Sequence, residues 1–330
     1  MESSLQKSIY KKCDLYILST PYHILIAIGL ILENKNDAHI ILTSLDDESL
    51  SYFSSIKNKL TNLEKVKGVE IIQQKKNVTR LLDYKVNSHL IINTKYESVF
   101  IFSWNLHYAY SNSNKYINYF YYNKVKIILV EDGKKMYAAK RKNILFNAIA
   151  KVLKINIFPQ KLYKIDTVMV TEPEKFPEKY KNKLKRMDYK IFEKQFVRNR
   201  NVILDIFVDN DSLEKILTTS NRLKTISIVF TQPLYKDGII KSEEAQKIIY
   251  ENLITKYEGT SDYLIVKKHP RDNMNYNFGT KIIEWDGMFP SELLNLLDIK
   301  FKNSIGINSS AIEGVNAENY HYNDLRSLYV

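Results

Sequence analysis

The chain has 330 residues, room for about two domains, and its 45% apolar and 26% charged content excludes a disordered or fibrous protein. A core of that size needs no staple; the lone Cys13 rules out an internal disulfide, and no Cys/His cluster has zinc-ligand spacing. The net charge of +12 rests on 41 lysines and only eight arginines, which weighs against sequence-specific nucleic-acid binding because base readers rely on arginine forks.

Leu15 to Leu32 is the most apolar stretch near the start, but Ser19, Thr20, Pro21 and His23 interrupt it. Pro21 suits a first helical turn behind Ser19 or Thr20 as N-cap, so the stretch reads as strand 14–18, turn, then helix 22–32. No charged-then-apolar signal peptide precedes it, and a cytoplasmic protein is expected. Strand-like runs recur at 38–43, 69–73, 98–103, 126–130 and 164–170, with helical stretches between several of them. Thr171–Tyr180 has two prolines and five charges and reads as a linker or surface segment. A second set follows: strand 225–230, helix 242–257, strands 263–267 and 281–284, helix 291–297, strand 299–307 and a last helix near Ser309. After Ala317 few apolar residues remain, as in a peripheral segment. Strands alternating with helices imply parallel sheets covered on both faces. Two nucleotide-binding-type α/β domains facing across a cleft are expected, with the handover between 171 and 225.

Ligands of such sheets bind beyond the carboxyl ends of the strands. The loops placed there are Ser19–Thr20–Pro21, Glu131–Asp132–Gly133, Thr231–Gln232–Pro233, His269–Pro270–Arg271 and Asn308–Ser309–Ser310. Glu131 and Asp132 on a glycine turn could take a proton from an attacking hydroxyl, or could be solvated turn acids. Lys267, Lys268, His269 and Arg271 at one strand end could hold phosphate oxygens, or could form a plain surface turn. Ser309 and Ser310 fit an anion site and equally fit an ordinary N-cap. Glu284, fifteen residues past His269, could accept both hydrogen bonds of a ribose diol. Asp46–Asp47 lacks the further acids of a metal site. His39, His89, His107 and His321 lack spaced partners. No glycine-rich phosphate loop occurs.

From Lys124 to Lys164 eleven Lys/Arg face two acids. Within it, 138–154 carries an apolar helical stripe with basic residues around it, suited either to its own sheet or to anionic lipid at the inner face of a membrane.

The order Thr20–Pro21–Tyr22–His23, Glu131–Asp132–Gly133, His269–Pro270, Ser309–Ser310 resembles glycosyltransferase family 52, bacterial sialyltransferases that build lipooligosaccharide and capsular sugars. The bacterial sialyltransferases share the last three motifs in that order. The resemblance implies an α/β protein of GT-B type, with a Rossmann-like acceptor domain over 1–175 and a Rossmann-like CMP-sugar domain over 176–330. It further implies metal-independent, inverting transfer of sialic acid from CMP-sialic acid to a sugar hydroxyl, with no cofactor besides the donor. His269, Lys268, Pro270, Ser309, Ser310, Thr231 and Gln232 would then lie on the donor side, with Glu284 at the nucleoside and Thr20, Tyr22 and His23 on the acceptor side. For the base, one member places an acid directly after the proline of the 231–237 loop. Leu234 stands there in this chain, so Asp237 would serve after a register shift; other families point to Asp132 or Glu131. Homodimers occur in the family. Two other readings stay open: a hexosyl- or glycerophosphotransferase using another nucleotide, and a non-enzymatic basic protein binding anionic membrane or nucleic acid through 124–164.

Overall fold

The computed structural model describes residues 12–74, 86–102, 112–132, 137, 152, 162–176, 178–209, 211, 213–214, 217–218, 225–276, 282–285, 288–307 and 309–325. The chain divides into two compact units, Met1–Arg198 and Asn199–Val330.

In the first unit, seven described strands form one parallel sheet in the order β3-β2-β1-β4-β5-β6-β7. They are β1 (Cys13–Leu18), β2 (Asp37–Ser44), β3 (Val66–Gln73), β4 (Ser98–Phe102), β5 (Lys126–Val130), β6 (Thr167–Val170) and β7 (Leu184–Arg186). β1 is buried at all six positions, as a parallel strand covered on both faces must be. β4 and β5 supply Val99, Ile101, Ile127 and Leu129 to a core shared with Tyr116, Ile117 and Phe120 of a covering helix.

Helix α1 (Pro21–Glu33) starts where Thr20 accepts the His23 backbone N–H at 3.1 Å and Pro21 fixes the first turn. It buries every residue from His23 to Ile31, so it is covered all round. α2 (Asp47–Thr61), α3 (His89–Asn93) and α4 (Asn112–Tyr122) follow, and α5 (Tyr189–Arg198) packs on α1. A Cβ built on Gly29 would stand 3.0 Å from the Phe192 ring, so the missing side chain is what lets α5 approach.

The second unit opens with α6 (Arg200–Phe207) and carries a five-stranded parallel sheet in the order β10-β9-β8-β11-β12. Its strands are β8 (Ile226–Phe230), β9 (Tyr263–Lys267), β10 (Ile282–Trp285), β11 (Phe301–Gly306) and β12 (Ala317–Tyr322). α7 (Glu243–Tyr257) lays Ile249, Tyr250, Leu253 and Ile254 on Val229, Leu264, Val266 and Ile305. α8 (Leu293–Leu296) is one short turn.

Three expectations change. Thr171–Tyr180 does not lead into the second unit: 3₁₀ turns carry it into β7, which pairs with β6, so the division falls after Arg198 rather than at 175/176. The last helix is a 3₁₀ turn over Ser310–Gly314. The polar segment after it is strand β12, paired with β11 at the sheet's edge, where one side needs no apolar cover. The stretch 138–154 lies, apart from the exposed Val152, outside the described residues.

Gly29→Val is expected to overpack the α1–α5 contact and cost about 1–3 kcal/mol, read as a lower midpoint in denaturant unfolding.

Candidate active site

The second sheet reverses its strand order between β8 and β11, the place where parallel sheets hold ligands. β8 ends at Phe230, and the next two residues each hold a candidate loop. The buried Thr231 hydroxyl accepts the His269 backbone N–H at 3.1 Å and donates to the buried Asp272 carboxylate. The Gln232 amide donates from Nε2 to Ser309 Oγ at 3.1 Å. Consecutive residues of one loop thus gather the His-Pro loop and the Ser-Ser turn.

Each of these groups has a defined hydrogen. The Arg271 backbone N–H points at His269 Nδ1, 3.1 Å away. A backbone N–H can only donate, so Nδ1 accepts and the ring proton sits on Nε2. Ser309 Oγ accepts from Ala311 N at 3.2 Å as well as from Gln232, which leaves its own O–H to donate. An imidazole N–H and a hydroxyl of this kind suit a phosphate oxygen that gains charge. Ser310 opens the 3₁₀ turn, and Asn308 lies outside the described residues.

Sequence reasoning missed what holds this arrangement. Asp272 also accepts from Tyr276 OH at 2.8 Å and Gln246 Nε2 at 3.0 Å. Gln246 Oε1 accepts Tyr235 N at 2.9 Å, and Tyr250 OH accepts Gln232 N at 2.6 Å. Gln246 and Tyr250 sit on α7, so the loop is tied to the packed core. The one visible signal was an acid three residues past His269.

The remaining donor-side candidates are paired. Pro270 lies in the turn closed by Asp272 N to the His269 carbonyl at 2.8 Å. Lys268 forms an ion pair with Glu284. Leu234, after the proline, is fully buried in the core and can present no chemistry. Asp237 closes its turn with N–H to the Pro233 carbonyl at 2.9 Å, ahead of Gly238 at φ +69°, and both its carboxylate oxygens face the Arg271 guanidinium.

In the first unit, Glu131 and Asp132 leave β5 in different environments. Glu131 is buried and accepts Thr171 N at 2.6 Å, Thr171 Oγ1 at 2.8 Å and Tyr137 OH at 2.6 Å, so its oxygens are used in tying the ends of β5 and β6. Asp132 is half-buried and meets His23 Nε2 at 2.6 Å. The Ser19 backbone N–H donates to His23 Nδ1 at 3.1 Å, which again places the ring proton on Nε2, aimed at the carboxylate. His23, expected on the acceptor, is buried; Thr20 serves as helix cap and Tyr22 packs edge-on to the His23 ring. Gly133 lies outside the described residues.

The family model described as Alpha-2,8-polysialyltransferase (POLYST) matches residues 14–316. The chain belongs to this polysialyltransferase family. That is the bacterial sialyltransferase grouping toward which the four motifs pointed. An uncharacterized protein of Haemophilus influenzae is 26% identical over 192 residues, 57% of this chain and 58% of that protein, so the match spans less than two-thirds of the relative. Among solved structures, a 2,6-sialyltransferase of Photobacterium sp. JT-ISH-224, in complex with the donor product CMP and the acceptor lactose, has TM-score 0.55 and 17% identity, covering 94% of this chain and 71% of that one. The GT-B domain of a Photobacterium damselae sialyltransferase has TM-score 0.54 and 14% identity, covering 94% and 90%. These likenesses establish the GT-B fold.

This polysialyltransferase-family chain also buries a cation next to its His-Pro loop. Lys267 ends β9 with its ammonium 4.1 Å from the centre of the Phe289 ring. Burial pushes it down to about 8, against a smaller upward pull from Glu292, whose own carboxyl burial pushes up. Between about pH 8 and the ordinary lysine value the unfolded chain therefore holds a proton that the folded chain releases, and stability gains as pH rises through that window. In thermal unfolding from pH 7 to 10, the wild type is expected to gain on Lys267→Met, whose neutral side chain carries no such proton.

Proposed function

We propose that this chain is an inverting sialyltransferase that moves sialic acid from CMP-sialic acid to a sugar hydroxyl of a bacterial surface glycan. The observation that carries the reading is the pairing of Thr231 with His269 and of Gln232 with Ser309 at the β8/β11 reversal. It gathers two hydrogen-bond donors where a nucleotide phosphate would leave. The family match, the GT-B fold and the CMP in the Photobacterium structure support the same donor.

The acceptor hydroxyl oxygen attacks the anomeric carbon of the sialyl group and its proton passes to a carboxylate. The bond from that carbon to the phosphate oxygen breaks, and CMP departs with the electron pair. We assign the base to Asp132, because His23 fixes its orientation while Glu131 is buried with Oε2 holding Thr171 and Tyr137, and both oxygens of Asp237 face Arg271. His23 is a positioning residue: its Nδ1 is occupied by a backbone N–H and cannot pass a proton further. His269 Nε2–H and the Ser309 hydroxyl stabilise the departing phosphate, and Lys268 adds positive charge beside them. No divalent ion or other cofactor is part of the proposed scheme. Glu284 binds the nucleoside ribose once its contact with Lys268 loosens.

No described helix is long and apolar enough to cross a membrane. The basic stretch 138–154 supports contact with anionic lipid, which would bring the enzyme to the inner face of the membrane where surface glycans are built. The family resemblance allows a homodimer.

Asp132→Asn is expected to slow CMP release about 10²- to 10⁴-fold, and Asp237→Ala far less; the reverse ranking would move the base to Asp237. His23→Phe should lower kcat while KM for the donor stays put, since it removes an orienting N–H and no donor contact. CMP, but neither UDP nor GDP, should raise the melting temperature, as a ligand selective for the folded state does. A shift with UDP alone would sink the sialyl donor.

A further inference from the structure

Neither the packing nor the chemistry above requires the Asp237–Arg271 pair. Arg271 presents Nη1 to Oδ1 at 2.8 Å and Nη2 to Oδ2 at 3.3 Å, a two-pronged grip on a planar carboxylate. The side chains are 47% and 30% exposed, and exposed pairs hold their partners weakly. The two loops are already joined from beneath by the buried Thr231–Asp272 contact, so a surface staple adds little. Lys236 Nζ meanwhile donates to the Arg271 carbonyl at 2.9 Å, and the Arg271 N–H is the one that fixes the His269 tautomer. The fork therefore stands two residues from the imidazole assigned to the departing phosphate. In CMP-sialic acid the carbon bonded to that phosphate oxygen carries a carboxylate; the hexose of an ordinary nucleotide sugar has none there.

We propose that Arg271 reads the carboxylate of the donor sugar, and that Asp237 fills the fork as an internal stand-in until the donor displaces it. This rests on the sialyl-donor reading and adds to it the residue that separates acidic from neutral donors. A carboxylate of the same shape and charge replaces Asp237 without stranding the guanidinium, whereas a neutral sugar cannot. Arginine rather than lysine is needed because only the planar fork matches both oxygens.

The experiment measures binding by calorimetry with two probes, CMP and the unreactive CMP-3-fluorosialic acid, on the wild type and three variants. Arg271→Gln is expected to weaken the fluorinated donor about 10- to 100-fold while CMP changes by less than about twofold. Arg271→Lys, which keeps the charge and loses the fork, should fall between. Asp237→Asn removes the internal competitor and should tighten the fluorinated donor about two- to fivefold. A structural staple predicts the opposite sign for Asp237→Asn, and equal losses of both probes in Arg271→Gln; either result overturns the proposal. Wild-type protein that binds CMP but gains nothing from the sialyl group overturns it as well and leaves the nucleotide reading standing. Wild-type protein that binds neither probe removes the sialyl donor itself, and the carboxylate reader with it.

Discussion

A single hydroxyl proton organises the candidate site of the second unit. Thr231 has one hydrogen to give, and the buried Asp272 carboxylate takes it. The oxygen is thereby turned to accept the His269 backbone N–H, and the His-Pro loop is fixed in register against the end of β8. Asp272 can stay buried because Tyr276, Gln246 and the Met274 backbone N–H also donate to it, so no oxygen is left to bear the cost of desolvation. Gln246 and Tyr250 belong to α7, whose apolar face packs on β8, β9 and β11. The path from core to site is thus short: helix packing sets two polar side chains, and those set the loops.

The same economy appears in the two imidazoles. His23 and His269 each receive a backbone N–H on Nδ1, from Ser19 and from Arg271. The backbone cannot reverse its role, so the proton is held on Nε2 of both rings. One Nε2 meets Asp132 at 2.6 Å. Neither ring needs a charged partner to select its tautomer, and neither depends on a side chain that could rotate away.

The sequence made the interior of each sheet legible and hid the edges. β5 and β9 stand where continuous apolar runs placed them, because strands buried on both faces must be apolar throughout. β7 (LKR) and β12 (AENYHY) carry polar residues that an edge tolerates, and no period distinguishes them from a loop. The candidate loops were legible because each follows such a strand. What joins them was not. His23 and Asp132 lie 109 positions apart, Gln232 and Ser309 77, and a single chain read in order carries no record of such pairings. Burial also separated neighbours that the sequence left equal: Glu131 looked as available as Asp132, and it is spent on holding the fold.

Charge near the candidate loops of the second unit is largely balanced from within. Lys268 faces Glu284, Arg271 faces Asp237, and Lys236 leans on a carbonyl. A chain of net charge +12 attracts anions in general, and lysines held as loose point charges would not tell one nucleotide sugar from another. Internal carboxylates change that. They occupy the cations until a ligand offers anions in the same geometry, so a ligand gains only the difference between its own contacts and those it breaks. A phosphate alone recovers part of that exchange; a phosphate with a carboxylate on the adjoining carbon recovers more. On the proposed reading, selectivity comes from competition already built into the chain, and a small, exposed ion pair then matters more for recognition than for stability.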